Sequence, residues 1–588
     1  MSHDDTGAPP GAHTRREFLA LGAGALALSA CGGWGHNETT TDPRAISSPD
    51  THECDVLIVG GGMAALFAAV KAHDAGARTL IVSKGRLGSS GLTPFAKGLF
   101  VFDPSKEKVS IDEYVATVSR SALGTNNSAY TKQAAEHSMA RIAELRSWGF
   151  FESNLYNRSF MVPIEERGIP LLERVVITKL LKDGDRVAGA AGFRLDAEQI
   201  VTIRARSVVL CTGAGAFKPN GFPVCDLTHD GTVMAYDIGA RVTGKEWNDG
   251  HLGRAKHPAA TYDGWGDMFD RKPSTDGVGV RHDLGVDANY MAYVQGNPLQ
   301  AGPGSGKATE SIAGGPQTPD EFKHGDEAPA DGGRPREGGP PPGGGPGIGG
   351  GPPGMRGAAM GGASAGMAIH KSEGLVPIND QCESNVPGLY AAGDALGSYQ
   401  CGGIYTQIGS SLTGSAVQGA VAGEAAASFA KGVSDPVVSP EALRAIKAEI
   451  LAPLTREAGY GPAWVTQTLQ GVMIPNFVLY IKKESLLQAA LAYVEELRDH
   501  HVPMLRAAHM HELRLAHETK NMIISAEMKL RASIMRKESR CSHYRLDYPE
   551  LDDANWRAWI NIHKDAEGKM RLEKQPFGVW PDGSAIGA

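Results

Sequence analysis

Asp55-Val-Leu-Ile-Val-Gly-Gly-Gly-Met-Ala-Ala65 is the stretch on which the fold turns. A run rich in β-branched residues stops at three glycines and passes into Ala64-Ala-Leu-Phe-Ala-Ala-Val-Lys-Ala72, a helix-forming run. Such a strand, tight turn and helix start together make the cradle of a dinucleotide pyrophosphate. Gly60 permits the turn, Gly62 admits the phosphates close to the backbone, and Ala65 lets helix and strand pack closely. The helix N-terminus adds unpaired N–H groups that suit an anion. Thr79-Leu-Ile-Val-Ser83 follows at the spacing of a second parallel strand and completes a βαβ unit.

Outward from that unit, 588 residues can bury a large core and should hold several domains. The net charge of −8 comes with no basic stripe, which argues against a nucleic-acid partner. The seven cysteines lie far apart and form no CxxC, haem-attachment or cluster-binding run. At the N-terminus, Thr14-Arg-Arg-Glu-Phe-Leu19 is a twin-arginine pattern, followed by an apolar run from Ala20 to Ala30 that is too short to span a bilayer. Leu28-Ser-Ala-Cys31 resembles a lipoprotein cleavage site, so Cys31 is expected to carry the lipid. The expected product is exported by the twin-arginine route and anchored on the extracytoplasmic side of a membrane. A polar tether over 32–52 follows.

Residues 110–150 read as helical, and strands dominate 173–213. Gly339-Pro-Pro-Pro-Gly-Gly-Gly-Pro346 centres a composition in 301–366 that supports no regular element, and this segment is expected to be disordered. Ordered pattern resumes at Gly388-Leu-Tyr-Ala-Ala-Gly393, a small-residue helix runs from Leu412 to about Ala430, and Glu441 to Met535 is almost wholly helical. His500, His501, His509, His511 and His517 crowd one region, but 509 and 511 cannot share a helical face, so no metal site is expected.

Three separated segments should converge on one flavin: the cradle at Gly60–Ala65, Val208-Val-Leu-Cys-Thr-Gly213, and Val386-Pro-Gly-Leu-Tyr-Ala-Ala-Gly-Asp394. With Ser83-Lys84, the loop Ser89-Ser-Gly-Leu-Thr-Pro-Phe-Ala-Lys-Gly98, Thr228-His-Asp-Gly231 and the closing Arg536-Lys-Glu-Ser-Arg540, the chain resembles the fumarate reductase/succinate dehydrogenase flavoprotein superfamily. Glu173-Arg-Val-Val-Ile177, His511-Glu-Leu513 and Trp556-Arg-Ala-Trp-Ile-Asn561 most resemble its adenylylsulfate reductase branch, and L-aspartate oxidase is also similar. The resemblance implies an α/β fold: a Rossmann-like FAD-binding domain with an inserted, reduced capping domain and a C-terminal helical domain. The expected boundaries are a signal over 1–31, FAD-binding parts over 53–250 and 371–432, a capping region over 251–370 and a helical domain with its tail over 433–588.

The resemblance also implies the cofactor contacts. They are Gly60, Gly62, Met63 and Ala64 in the cradle, and Ser83 and Lys84 after the second strand. The isoalloxazine loop adds Ser90, Gly91, Thr93, Ala96 and Gly98, with Val176 on a later strand. Thr212, Gly213, Asp230, Gly393, Asp394, Ser411 and Leu412 complete the set. Departures from the family pattern matter as much. Members with covalent FAD carry a histidine where this chain has Leu92, so the FAD is expected to be non-covalent. Glu246 and His251 keep a family Glu/His spacing, making His251 the substrate-site candidate. A family histidine position falls on Gly357, and the carboxylate-clamping arginine aligns near Gln407, a neutral and weaker partner. Tyr405 is expected beside Gln407, with Arg254 (or Arg281) as a stand-in proton or anion group.

The leading expectation is therefore an enzyme, an FAD-dependent oxidoreductase that moves a hydride between flavin and a small organic substrate. It would pass electrons to a quinone, a cytochrome or oxygen. The alternatives are a dehydrogenase or oxidase of a neutral sterol, sugar or aromatic substrate, and a flavin electron-transfer subunit with no substrate site of its own.

Overall fold

The computed structural model describes residues 47–218, 226–248 and 371–587, except Tyr405, Ile408, Pro475 and Tyr480, with short stretches at 253–254, 271–275 and 359–360. The opening βαβ unit forms as its sequence requires. Strand β1 (Ser47–Val59) leads through the glycines into helix α1 (Met63–Asp74) and then β2 (Thr79–Val82), parallel to β1 from Val56↔Thr79 to Val59↔Val82. All four residues of β2 are buried, the signature of a strand covered on both faces. Helices α2 (Ile111–Ser121), α3 (Ser128–Ser147) and α4 (Tyr156–Arg167) follow. Ser110 and Glu113 close a reciprocal capping box on α2, and the Asn127 side chain caps α3.

Strands β3 (Leu171–Leu172), β4 (Val175–Asp183), β5 (Arg186–Arg194) and β6 (Gln199–Leu210) supply the rest of the main sheet. Its order is β3-β2-β1-β6-β5-β4. The first four are parallel, while β5 and β4 form an antiparallel meander on the long strand β6. That length accounts for one difference from the sequence reading, which placed residues 32–52 in a tether. β6 begins at Gln199, and β1 extends back to Ser47 to pair with it, through Asp50↔Val201 and Thr51↔Thr202. The Arg194 guanidinium clasps Asp50 at 2.6 Å across the same edge.

Beyond α5 (Asp230–Asp237), a second sheet joins β7 (Val242–Thr243), β8 (Gly374–Leu375), β10 (Ala558–Lys564) and β11 (Met570–Pro576). Strand β9 (Leu389–Ala391) returns the chain to the main sheet, parallel to β6. The small-residue helix α6 (Ser410–Lys431) then lies tightly on α1. A Cβ on Gly419 would stand 2.4 Å from the Ala64 carbonyl, and one on Gly423 would stand 2.3 Å from that of Ala68. Glycine here is a packing requirement.

The helical region comprises α7 (Pro440–Thr455), α8 (Pro462–Met473), α9 (Glu484–Glu496) and α10 (Met510–Met535). α10 is tied to the core by buried ion pairs. Glu373 receives Lys245 at 2.5 Å and Lys529 at 2.6 Å, with His229 at 3.2 Å. The Arg536-Lys-Glu-Ser-Arg540 motif does the same work. Arg536 reaches Glu246 at 2.9 Å and Glu538 at 2.8 Å, and Arg540 holds Glu538 and Asp553. These side chains bind segments of the protein to one another. Within the histidine-rich stretch, His509 caps α10 and His517 bonds the Ile450 carbonyl at 2.9 Å. No cluster able to hold a metal exists among the described residues. Of residues 301–366, expected to hold no regular element, only Ala359 and Met360 are described, as a short strand antiparallel to Gly253–Arg254; Cys31 and the twin-arginine segment lie outside the described residues.

Candidate functional site

Where the parallel strands end, one cavity of about 370 Å³ opens. Its walls come from Gly60–Ala64 after β1, Ser83–Gly85 after β2, Cys211–Ala214 after β6 and Ala392–Asp394 after β9. The loop 90–98 and the first turn of α6 close it. Segments widely separated in the chain thus share one pocket, at the carboxyl edge where open α/β sheets bind ligands.

The cradle has no room for side chains. Gly60 sits at φ +139°, and a Cβ there would be 2.1 Å from the Cys211 carbonyl oxygen. That carbonyl cannot retreat, because Cys211 N–H donates to the Val59 carbonyl at 2.8 Å. A Cβ on Gly62 would meet Thr93 Oγ1 at 2.9 Å, and Thr93 Oγ1 accepts from Met63 N–H at 3.2 Å. Two of the helices that start on this wall, α1 and α6, begin at a glycine with no side-chain cap and no acidic residue in the first turn, whereas α5 begins with Asp230. Two positive dipole ends therefore face one space, an arrangement suited to phosphate and electron-rich groups.

The charged groups have defined partners. Lys84 Nζ donates to Asp230 Oδ2 and Glu518 Oε1, each at 2.8 Å, and to the Asp226 carbonyl at 2.8 Å. Burial favours the neutral amine, but the two carboxylates outweigh it and raise the Lys84 pKa. For Asp230, burial pushes the carboxyl up, while Lys84, Asn521 and Thr228 overcome this and hold it below its ordinary range. Lys97 rests 4.1 Å over the Tyr156 ring, and burial lowers its pKa. Thr212 lines the cavity, while its Oγ1 is buried against Gly231, where a Cβ would stand 2.0 Å away, and has no hydrogen-bond partner among the described residues.

Every cofactor residue named from the sequence lies on this wall except Val176. In β4 the side chains alternate, so Val175 and Ile177 line the cavity while Val176 packs on the opposite side with Phe193 and Leu454. Leu92 also lines the cavity, and no histidine does among the described residues. Cys211 is the one thiol on the wall, and burial pushes its pKa far up, which keeps it protonated and unreactive.

Of the substrate-side candidates, Gln407 alone has a described side chain. Gln407, 1% exposed, is off the cavity wall, and its Oε1 accepts the Tyr114 hydroxyl at 2.8 Å. Its carbonyl accepts Ser410 Oγ at 2.7 Å. Gln407 thus braces the entry to α6. His251 and Tyr405 lie outside the described residues, and Arg254 is described only through its backbone pairing with Ala359. Sequence reasoning missed Lys371 altogether and gave Lys97 and Cys211 no role, although both of these lie in segments that form the wall. Only the neighbours that folding supplies make the three notable.

Residues 55–219 match the FAD dependent oxidoreductase family model, and 466–580 match the fumarate reductase flavoprotein C-terminal model. An uncharacterised FAD-dependent oxidoreductase of Methanocaldococcus jannaschii is 26% identical, over 90% of this chain and 98% of its own. One component of the fumarate reductase (CoM/CoB) of Methanothermobacter marburgensis is 24% identical, over 88% and 98%. Among solved structures, adenylylsulfate reductase from Archaeoglobus fulgidus superposes with a TM-score of 0.65 at 19% identity, covering 92% of this chain and 98% of that one. E. coli quinol fumarate reductase gives a TM-score of 0.64 at 18% identity, with coverages of 90% and 97%.

Proposed function

We propose, for a chain that belongs to the fumarate reductase/succinate dehydrogenase flavoprotein superfamily and is an FAD-dependent oxidoreductase, a fumarate-reductase-like scaffold whose substrate site has been altered. The observation that carries this reading is the convergence of the three strand ends on one glycine-walled cavity, while Gln407 stands where the family's carboxylate clamp is expected and spends its amide oxygen on Tyr114. The residues present fit FAD. The cradle glycines and the α1 N-terminus suit its pyrophosphate, Asp394 its ribityl hydroxyls, and the loop 90–98 the face of its ring. When bound, FAD supplies the two-electron chemistry by gaining or losing a hydride at N5. The protein binds and orients the cofactor, excludes water from its ring and offers the substrate side through His251, with Arg254 and Tyr405 as the further candidates.

FAD is held without a covalent bond in this reading. Leu92 offers no nucleophile, and Cys211 stays protonated. Acid precipitation of the purified protein should therefore leave all yellow colour in the supernatant. Colour retained in the pellet would overturn the assignment.

The substrate is a small organic molecule, and a neutral one is favoured as the second reading because Gln407 brings no charge to bind a carboxylate. Anaerobic mixing decides between them. Protein reduced with dithionite and reoxidised by fumarate-like enoates would support dicarboxylate chemistry. Bleaching of the oxidised protein by an alcohol, sugar or ketosteroid would support the neutral substrate, and inertness toward all of them would favour an electron-transfer role. Electrons then pass to or from a quinone, a cytochrome or oxygen.

Export by the twin-arginine route and lipidation at Cys31 complete the proposal, placing the protein on the outer side of a membrane. Cys31→Ser should abolish the lipid mass increment on the mature N-terminal peptide and release the protein from the membrane fraction.

A further inference from the structure

Behind the cavity wall sits a lysine that no motif announces. Lys371 is buried, with its side chain 2% exposed, and its backbone is left-handed at φ +63°. Few non-glycine residues adopt that conformation, and those that do are held there by their surroundings. Here the hold is visible: the Lys371 carbonyl accepts from Tyr399 N–H at 2.7 Å, and the next residue, Ser372, donates its hydroxyl to the Gly402 carbonyl. A Cβ on Gly414 would lie 2.4 Å from Lys371 Cε, so α6 presents a glycine where the lysine stem passes.

All three hydrogens of the ammonium have acceptors, and each acceptor belongs to the cavity wall. They are Asp394 Oδ1 at 2.9 Å, the Ser411 carbonyl at 2.7 Å and Ser415 Oγ at 3.1 Å. One cation thus joins the strand end carrying Asp394 to the first turn of α6. The Asp394 side chain is 9% exposed. A carboxylate that buried, without a nearby cation, would impose its full negative charge on whatever occupies the cavity.

We infer that Lys371 is a positioning residue that neutralises and orients Asp394 beneath the cofactor and thereby sets both FAD affinity and the reduction potential of the bound flavin. The inference rests on the FAD reading of the cavity. Its sign follows from charge. Reduction adds negative charge to the ring system, so a cation nearby favours the reduced form and an uncompensated carboxylate opposes it. The other charged groups near this wall stay constant in the comparison: Lys84 is paired with Asp230 and Glu518, and Lys97 lies on Tyr156.

Reductive titration of the flavin-loaded protein against reference dyes tests this. Lys371→Met should bind FAD at least tenfold more weakly. It should also lower the potential by a tenfold shift in the two-electron equilibrium, about 30 mV. Asp394→Asn, which keeps the ammonium and removes the carboxylate, should raise the potential, and the double variant should return toward the native value. Lys371→Arg should keep the native potential. If Lys371→Met retains no flavin, Lys371→Gln, which also removes the charge but keeps a polar end, takes its place in the comparison. Opposite shifts in the two single variants support the inference. Shifts of the same sign, or loss of affinity with the potential unmoved, would leave Lys371 a purely mechanical brace and overturn it. A native protein that takes up no FAD would instead sink the cofactor reading.

Discussion

Gly60→Ala should yield a folded, colourless protein. The added Cβ has to occupy a point 2.1 Å from the Cys211 carbonyl oxygen, at a φ of +139° that L side chains rarely adopt. Neither conflict can relax cheaply. Val59 ends β1, Cys211 follows its parallel neighbour β6, and a 2.8 Å hydrogen bond joins them, so the turn has to move into the cavity. The conformational strain alone is worth about 1–3 kcal/mol. The displaced turn also carries the helix N-terminus that faces the phosphates. We expect FAD affinity to fall by at least about a hundredfold, equivalent to roughly 2.8 kcal/mol. The flavin absorbance of protein purified with excess FAD measures this, and far-UV circular dichroism checks that the fold survives. Gly76→Ala is the matched control. Gly76 also has a positive φ, +87°, but open space surrounds it, so the same strain is imposed away from the cavity. That variant should stay yellow. If Gly60→Ala retains native flavin content, the steric account of the cradle is wrong.

Glu373→Gln should cost a large part of the protein's stability. Glu373 is 3% exposed and receives the ammoniums of Lys245 and Lys529, which are 0% and 1% exposed. Burial by itself pushes its carboxyl up, but the two cations reverse that and hold it well below the ordinary range. Replacing the carboxylate with an amide keeps the shape and leaves two buried cations without their counter-charge. Breaking a buried pair in this way costs about 3–5 kcal/mol. Because the folded pKa is depressed, the Glu373 contribution is present above the unfolded carboxyl value of about 4.3 and is lost only as the pH falls toward the folded value. Thermal unfolding at pH 7 should show a clear loss for Glu373→Gln, shrinking as the pH is lowered below 4. Lys529→Met combined with Glu373→Gln should recover part of the loss, since one stranded cation is then gone. An unchanged melting temperature for Glu373→Gln would show that the cluster contributes nothing net.

Both residues show how legibility divides in this chain. Gly60 could be read in advance because its role is local. A β-branched run, a glycine triplet and an alanine-rich helix specify strand, turn and helix through short-range backbone preferences. Local too are the buried run Thr79–Val82 and the small residues of α6, whose composition marked a helix; its close packing on α1 is seen only in the structure. Glu373 gave no such signal. Its partners stand 128 and 156 residues away, and nothing in the sequence around Ser372-Glu-Gly374 distinguishes it from a surface glutamate.

Register and reach explain the remaining differences. In strand β4 the alternation of side chains, set only by the folded sheet, turns Val175 and Ile177 to the cavity and the side chain of Val176 to the core. The start of β1 was placed late because the polar stretch before Cys54 has no strand pattern of its own. It becomes strand because β6 is long enough to offer it a partner. Gln407 could be recognised as the wrong residue for a carboxylate clamp, yet its actual occupation, bonded to Tyr114 and bracing α6, depended on a residue 293 positions away.

The sequence by itself determined the cofactor cradle, the βαβ unit, the motifs that resemble the flavoprotein superfamily and the absence of a histidine at Leu92, because each is written in contiguous residues whose backbone preferences or side-chain chemistry act at short range. Only the tertiary structure decided that Lys84 answers Asp230 and Glu518, that Arg536 and Arg540 bind protein to protein, and that Lys371 stands behind Asp394. Those facts are electrostatic. A buried charge takes its meaning from the opposite charge within about 3 Å, and folding chooses that neighbour from anywhere in the chain.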